Sequence, residues 1–237
     1  MMTNRINNPN KVNILGVGVA ITSQDQVLEK IDQICRSSFR MPFFIVTVNT
    51  EFIMLAQDDV QFKHILNSAD LAIPDGVGLR LAGVNTIVPG RKLVSALITN
   101  NYRSFYLGGQ DDVARLMTAK FGGESDLGEA DVKNPVRGAE ILSKINKYSP
   151  DILLVAYGAP GQEKWIWNNK DKIKAKVVMG VGGTFDYLVG KVQLPPEWVN
   201  NLGWEWLWRL GHQPWRWRRQ LNLLRFGLLI VKQKLLS

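Results

Sequence analysis

The chain holds one cysteine, Cys35, and two histidines, His64 and His212, in 237 residues. A single thiol cannot close an internal disulfide. Its neighbours follow a helical pattern, so Cys35 reads as a core or half-buried thiol in a reducing compartment. Two histidines so far apart lack metal-ligand spacing. Long apolar runs are missing as well. The most apolar stretch, Leu221–Val231, is 11 residues long and contains Asn222 and Arg225, whereas a spanning helix needs about 20. The opening MMTNRINNPNK has no apolar h-region, so no secretory signal is expected. Several nucleotide and nucleophile signatures are also lacking. Gly16-Val-Gly18 is not a dinucleotide fingerprint, because Ile21 stands at the third glycine position. There is no GxxxxGK[ST] loop and no GxSxG elbow. No Asp-x-Asp pair is present to hold a metal; the adjacent acids Asp58-Asp59 and Asp111-Asp112 read as solvated helix ends.

What remains is an ordinary globular composition, 46% hydrophobic and 21% charged. Short apolar runs alternate with helical periodicity. Strands are expected at Val12–Val19, Phe43–Val48, Leu71–Ile73, Tyr102–Leu107, Ile152–Tyr157 and Val177–Gly180, with one more short strand within 122–137. Helices are expected from Ser23 to about Phe39, then over Thr50–Asp58, Val60–Ala69, Gly90–Asn100, Asp111–Phe121, Val136–Lys147 and Gln162–Asn169, with a helix start at Gly76–Gly83. Such alternation with short connections predicts an α/β fold with a mostly parallel sheet.

In open parallel sheets, ligands gather at the carboxyl ends of strands. Two strands deliver polar residues there. Phe43–Val48 carries Thr47 and leads into Asn49 and Glu51, and Leu71–Ile73 leads through Pro74 to Asp75 and Gly76. Asp75 is the candidate catalytic residue. Read from the residues alone, it equally fits a helix cap.

The net charge of +8 is uneven. From Glu197 to Ser237 there are five Arg and two Lys against two Glu, or +5, and six of the eight Trp fall between Trp198 and Trp217. Pro214 breaks this tail into at least two helical pieces. Trp and Arg interleaved on amphipathic helices suit the headgroup zone of an anionic leaflet, where each basic residue contributes on the order of 1 kcal/mol. A subunit interface and stacking on nucleic acid are the other readings. The modest charge elsewhere and the lack of any RNA or DNA motif speak against nucleic acid.

Five segments in order resemble the WecG/TagA/CpsF family of glycosyltransferases. They are TVNTEFIMLAQ (47–57), ADLAIPDGVGLRLA (69–82), VAYGAPGQEKWI (155–166), VMGVGGTFDYLVGKV (178–192) and GWEWLWRLGHQPWRWRR (203–219). The resemblance implies a single Rossmann-like domain over 1–195. It also implies a C-terminal amphipathic appendage over 196–237 that reaches the membrane and completes the active site. The implied reaction is metal-independent, inverting transfer of N-acetylmannosamine or a related sugar. The donor is a UDP-sugar and the acceptor a sugar on a polyprenyl diphosphate, at the cytoplasmic face of the membrane, in teichoic acid or surface polysaccharide synthesis. No cofactor is implied, and dimers or trimers are. Asp75 matches the family's proposed general base. Thr47, Asn49 and Gln162 match sugar- or acceptor-contacting positions, and Asp186 a uracil-binding position. Arg209, Arg216 and Arg219 match tail arginines that would neutralise the diphosphates.

Two departures from the family pattern stand out. The segment after the PDG helix is several residues shorter, with Ile87 where an arginine is usual and Lys92 where an aspartate is usual; Arg91 and Arg80 are the neighbouring substitutes. Glu129–Val132 replaces the usual aromatic in the 122–137 loop. The alternative reading is therefore a membrane-associated paralogue of weakened activity that still binds a nucleotide sugar.

Overall fold

A computed structural model describes residues 10–37, 41–128, 135–192 and 217–236. Its centre is β3 (Phe43–Val48), whose sequence FFIVTV is almost wholly buried. Alternate residues of β3 feed two separate cores. Phe44, Val46 and Val48 face one, and Ile45 faces the other, which is the two-residue period of a strand covered on both faces.

Six parallel strands form the sheet in the order β4-β3-β8-β7-β5-β6. They are β3, β4 (Leu71–Pro74), β5 (Ser104–Gly108), β6 (Glu124–Asp126), β7 (Ile152–Ala156) and β8 (Val177–Gly180). The α/β class with a parallel sheet is therefore as the alternation predicts. Helices α2 (Thr50–Asp58), α3 (Val60–Ser68), α6 (Pro135–Tyr148) and α7 (Gly161–Asn169) cover one face. Helices α1 (Gln24–Cys35), α4 (Gly90–Thr99), α5 (Val113–Phe121) and α8 (Thr184–Val189) cover the other.

The structure refines several expectations. The β-rich opening is an antiparallel hairpin of β1 (Lys11–Ile14) and β2 (Val17–Ala20). Gly16 lies in its turn, donating its N–H to Asn13 Oδ1 at 2.8 Å, so this glycine pair serves a hairpin. Helix α1 starts with a capping box between Ser23 and Gln26. It stops at Cys35, earlier than Phe39, where the Ser37 hydroxyl donates back to Gln33 O. Cys35 is buried, and burial pushes its thiol up to about 11. The helix start at Gly76–Gly83 is a 3-10 helix, Val77–Ala82.

The acidic pairs do sit at helix ends, and all four carboxylates hold ion pairs: Asp58 with Arg225, Asp59 with Lys164, and Asp111 and Asp112 with Lys191. Lys164 spans from α7 to the cap of α3 and ties two helices on one face of the sheet. Helix α8 was not expected. Six residues between Gly183 and Gly190 are too few to show a period.

The C-terminal helix α9 (Trp217–Leu236) lies on α2 and on the 3-10 helix. Phe226 and Ile230 enter the core, and full burial of such side chains contributes about 1.5–3 kcal/mol each. The Arg225 guanidinium grips both oxygens of Asp58, at 3.0 and 3.1 Å. Gln233 bridges to the hairpin, accepting from Leu15 N and donating to Asn13 O. Arg225, which interrupts the apolar run 221–231, is thus engaged with the protein. Among the described residues, no helix is long and apolar enough to cross a membrane.

Candidate active site

The sheet order brings the carboxyl ends of β4, β3, β8 and β7 side by side, and a cavity of about 270 Å3 opens above them. Thr47, Asn49, Asp75 and Gln162 all line it. Four of the residues singled out from the sequence are therefore brought together by strand order, although they come from three segments 26 to 115 residues apart.

Asp75 follows β4 directly. Its N–H continues the parallel ladder to Val48 O at 2.7 Å, while Val88 N returns to Pro74 O at 2.7 Å. The carboxylate Oδ1 accepts from Gly90 N at 3.1 Å, at the first turn of α4. A side chain at this position would crowd that approach. A Cβ on Gly90 would lie 3.0 Å from Thr47 Cγ2 and 3.5 Å from Asp75 Oδ2. The helix start thus fixes one carboxylate oxygen by a backbone donor while the side chain faces the cavity.

Asn49 caps α2 by accepting from Phe52 N at 3.0 Å. Thr47 is buried, 7% exposed, on the cavity wall. Gln162 is 2% exposed, and its amide is used on both sides: Nε2 donates to Glu163 Oε1 at 2.6 Å, and Oε1 accepts from Gly182 N at 2.9 Å. Asp186 is not part of the cavity wall. It stands half-buried in the first turn of α8, and burial holds its carboxyl above the usual range, with Lys191 opposing and Asp111 adding to the shift. Arg209 and Arg216 lie outside the described residues. Arg219 falls in the first turn of α9, with its side chain outside them.

Arg91, Tyr187 and Glu51 also line the cavity, beyond the four residues given site roles from the sequence. Arg91 and Tyr187 meet across the cavity, the guanidinium 5.4 Å from the ring centroid. Arg91 thus enters the site, whereas Arg80 is exposed and outside the wall. Glu51, in the first turn of α2, is the third. The described lining therefore carries two carboxylates, Glu51 and Asp75, and one guanidinium, a formal charge of 1 − 2 = −1. Beneath Gln162 lies Glu163, 0% exposed, its carboxyl pushed up to about 7 by burial. Its burial has no sequence signal, because α7 buries Gln162, Glu163, Trp165 and Ile166 without a clean apolar stripe. Among the described residues, no group of three or more His, Cys, Asp or Glu is arranged to hold a metal ion.

A held carboxylate in a cleft at the strand ends of a doubly wound sheet points to ligand chemistry without naming it, and comparison with known proteins does that. The chain is 30% identical to an N-acetylglucosaminyldiphosphoundecaprenol N-acetyl-beta-D-mannosaminyltransferase of Bacillus subtilis (strain 168), covering 94% of this chain and 90% of the relative. The Bacillus spizizenii protein of the same name is 30% identical over 81% of this chain and 79% of its own. One of that name from Staphylococcus aureus (strain MRSA252) is 27% identical over 85% of each. The family model described as "Glycosyl transferase WecG/TagA/CpsF family" matches residues 12–237, which span both the sheet that carries Asp75 and the helix that closes over α2, and the chain belongs to that family.

Proposed function

We propose that this glycosyltransferase moves N-acetylmannosamine, or a closely related sugar, from a UDP-sugar to a sugar on a polyprenyl diphosphate, with inversion and without a metal ion. The observation that carries this reading is Asp75, clamped by Gly90 N at the floor of the cavity. Its role is to accept the proton of the acceptor hydroxyl as that oxygen attacks the anomeric carbon. The UDP leaves from the opposite side. The names of the relatives support the acceptor class and the mannosaminyl group. Arg91 supplies charge where the shortened segment has Ile87 in place of the family's arginine, which favours an active enzyme over a weakened paralogue. Thr47, Asn49 and Gln162 shape the sugar site, and Asp186 on α8 accepts from the uracil ring.

A UDP-release assay over a panel of UDP-sugars tests this directly, with a short-chain polyprenyl-diphosphate-linked N-acetylglucosamine as acceptor and EDTA throughout. Release is expected with UDP-N-acetylmannosamine or one related donor. No release with any donor supports the nucleotide-sugar-binding paralogue instead.

We further propose that the protein works as a peripheral protein on the inner face of the membrane. Leu224, Leu228, Val231 and Leu235 are 58–81% exposed and recur at spacings of four, three and four. They make one apolar stripe on the side of α9 opposite Phe226 and Ile230. This stripe continues the basic, Trp-rich segment that precedes it in the chain. Deleting the whole tail is a poor test, because it removes Phe226 and Ile230 from the core. Changing the four stripe residues to Gln leaves the core intact. The wild type is expected to sediment with phosphatidylglycerol vesicles, and the stripe variant to lose most of that binding at an unchanged melting midpoint. Absent or unchanged binding rules the proposal out.

A further inference from the structure

Glu163 is the largest unexplained polar feature near the cavity. It is fully buried, it lies outside the cavity wall, and its Oε2 has no hydrogen-bond partner among the described residues. Leaving such an atom unpaired costs on the order of 1–3 kcal/mol, so a methionine or leucine would pack here at lower cost. Its neighbours explain what the carboxyl does. Oε1 accepts from Gln162 Nε2, and the Gln162 oxygen in turn accepts from Gly182 N.

An amide can turn end for end, and its two ends differ in kind: one only accepts and the other only donates. Gly182 N–H can only donate. Glu163 Oε1 serves as an acceptor. The two together permit a single orientation of the Gln162 amide, with oxygen toward β8 and nitrogen toward Glu163. The last residue of β8 is shaped around this pair. A Cβ on Gly180 would lie 2.5 Å from Glu163 Oε1 and 2.6 Å from Gln162 Nε2. The segment held in this way is Val181–Thr184, the turn that forms one cavity wall. Its Val181 N bonds to Val155 O at 2.8 Å, and its Thr184 N and hydroxyl both return to Val181 O.

We infer that Glu163 is a positioning residue for sugar transfer. Acting through Gln162, it sets the Val181–Thr184 turn against the donor and keeps the Gln162 amide from turning over. The inference rests on the transferase reading above. Misplacing a reacting group by about 1 Å can cost on the order of 10²-fold in rate, so a loosened turn acts on kcat more than on donor binding.

The test compares Glu163→Met, which fills similar volume without an acceptor, with Glu163→Gln, which keeps an oxygen able to accept from Gln162. With the UDP-sugar that the wild type uses, Glu163→Met is expected to lose tenfold or more in kcat. Its donor KM should change by less than threefold and its melting midpoint should be unchanged or raised. Glu163→Gln is expected to recover most of the rate. A Glu163→Met enzyme with wild-type kcat overturns the inference, because a space-filling role is then sufficient. Amide exchange of Gly182 in the wild-type protein provides a second measurement that needs no variant to fold. Slow exchange is expected, and exchange as quick as that of an exposed loop overturns the clamp. If the wild type releases no UDP from any donor, the transferase reading itself fails, and the Gly182 measurement still decides whether the clamp exists.

Discussion

Replacing Asp75 by Asn is expected to lower sugar transfer by about 10²–10⁴-fold, the usual contribution of a positioned general base, with UDP-sugar binding retained. The side chain keeps its size, and a carboxamide oxygen can still accept from Gly90 N, so the α4 start and the cavity wall should hold. What is lost is the ability to take a proton. Equilibrium binding of the donor, measured beside turnover, separates the two effects. Near-normal turnover rules out Asp75 as the base, and a parallel loss of donor binding assigns it to the binding site instead. The structure favours loss of turnover with donor binding retained, because backbone hydrogen bonds from Asp75 N to Val48 O and from Gly90 N to Asp75 Oδ1 set the position of this residue.

The second large effect concerns charge. On the proposed reaction, two diphosphates, one on the leaving nucleotide and one on the carrier, meet a cavity whose described lining sums to −1. Arg91 alone leaves that sum negative, so cations from elsewhere are required, and the sequence concentrates them in the tail. Arg219 precedes Leu223 by one helical turn, and Leu223 approaches the 3-10 helix that follows Asp75: its Cδ1 lies 3.4 Å from where a Gly78 Cβ would be. The first turns of α9 therefore lie beside the segment that carries Asp75. Guanidinium forks bind phosphate oxygens in pairs and stay charged in a partly dehydrated site. Arg216→Ala and Arg219→Ala, each assayed in detergent so that membrane attachment does not enter, are expected to lose on the order of 10²-fold in turnover, as when one electrostatic donor is removed from a reaction centre. Unchanged turnover in both would assign these arginines to lipid headgroups.

Much of the fold was legible because strand and helix periods are local properties. The strands Phe43–Val48 and Val177–Gly180 have the expected bounds, β4, β5 and β7 differ by one or two residues, and β6 falls within the 122–137 stretch where one short strand is expected. Strand order was not legible, since nothing in VVMG says that this last strand lies between β3 and β7. The site was legible where polar residues interrupt apolar runs, as at Thr47, Asn49 and Asp75. Arg91 could be noted only as a neighbouring substitute, because its place depends on how α4 packs against α8. Glu163 could not be found at all. A glutamate in the first turn of a helix reads as an exposed partner of the helix dipole, and only the tertiary structure shows it buried. The pairing of Arg225 with Asp58 was equally invisible, because the two lie 167 residues apart in sequence.

The placement of β8 has a consequence for how the molecule is made. This strand is the last of the sheet in sequence, yet it pairs with β3 on one side and β7 on the other. Until it inserts, β4-β3 and β7-β5-β6 share no hydrogen bonds and form two separate half-sheets, each with an open edge. Such edges are sticky, and pairings of this sequence separation are slow to form. The cavity straddles the seam between the halves, so a chain in which β8 has not inserted lacks the assembled cavity.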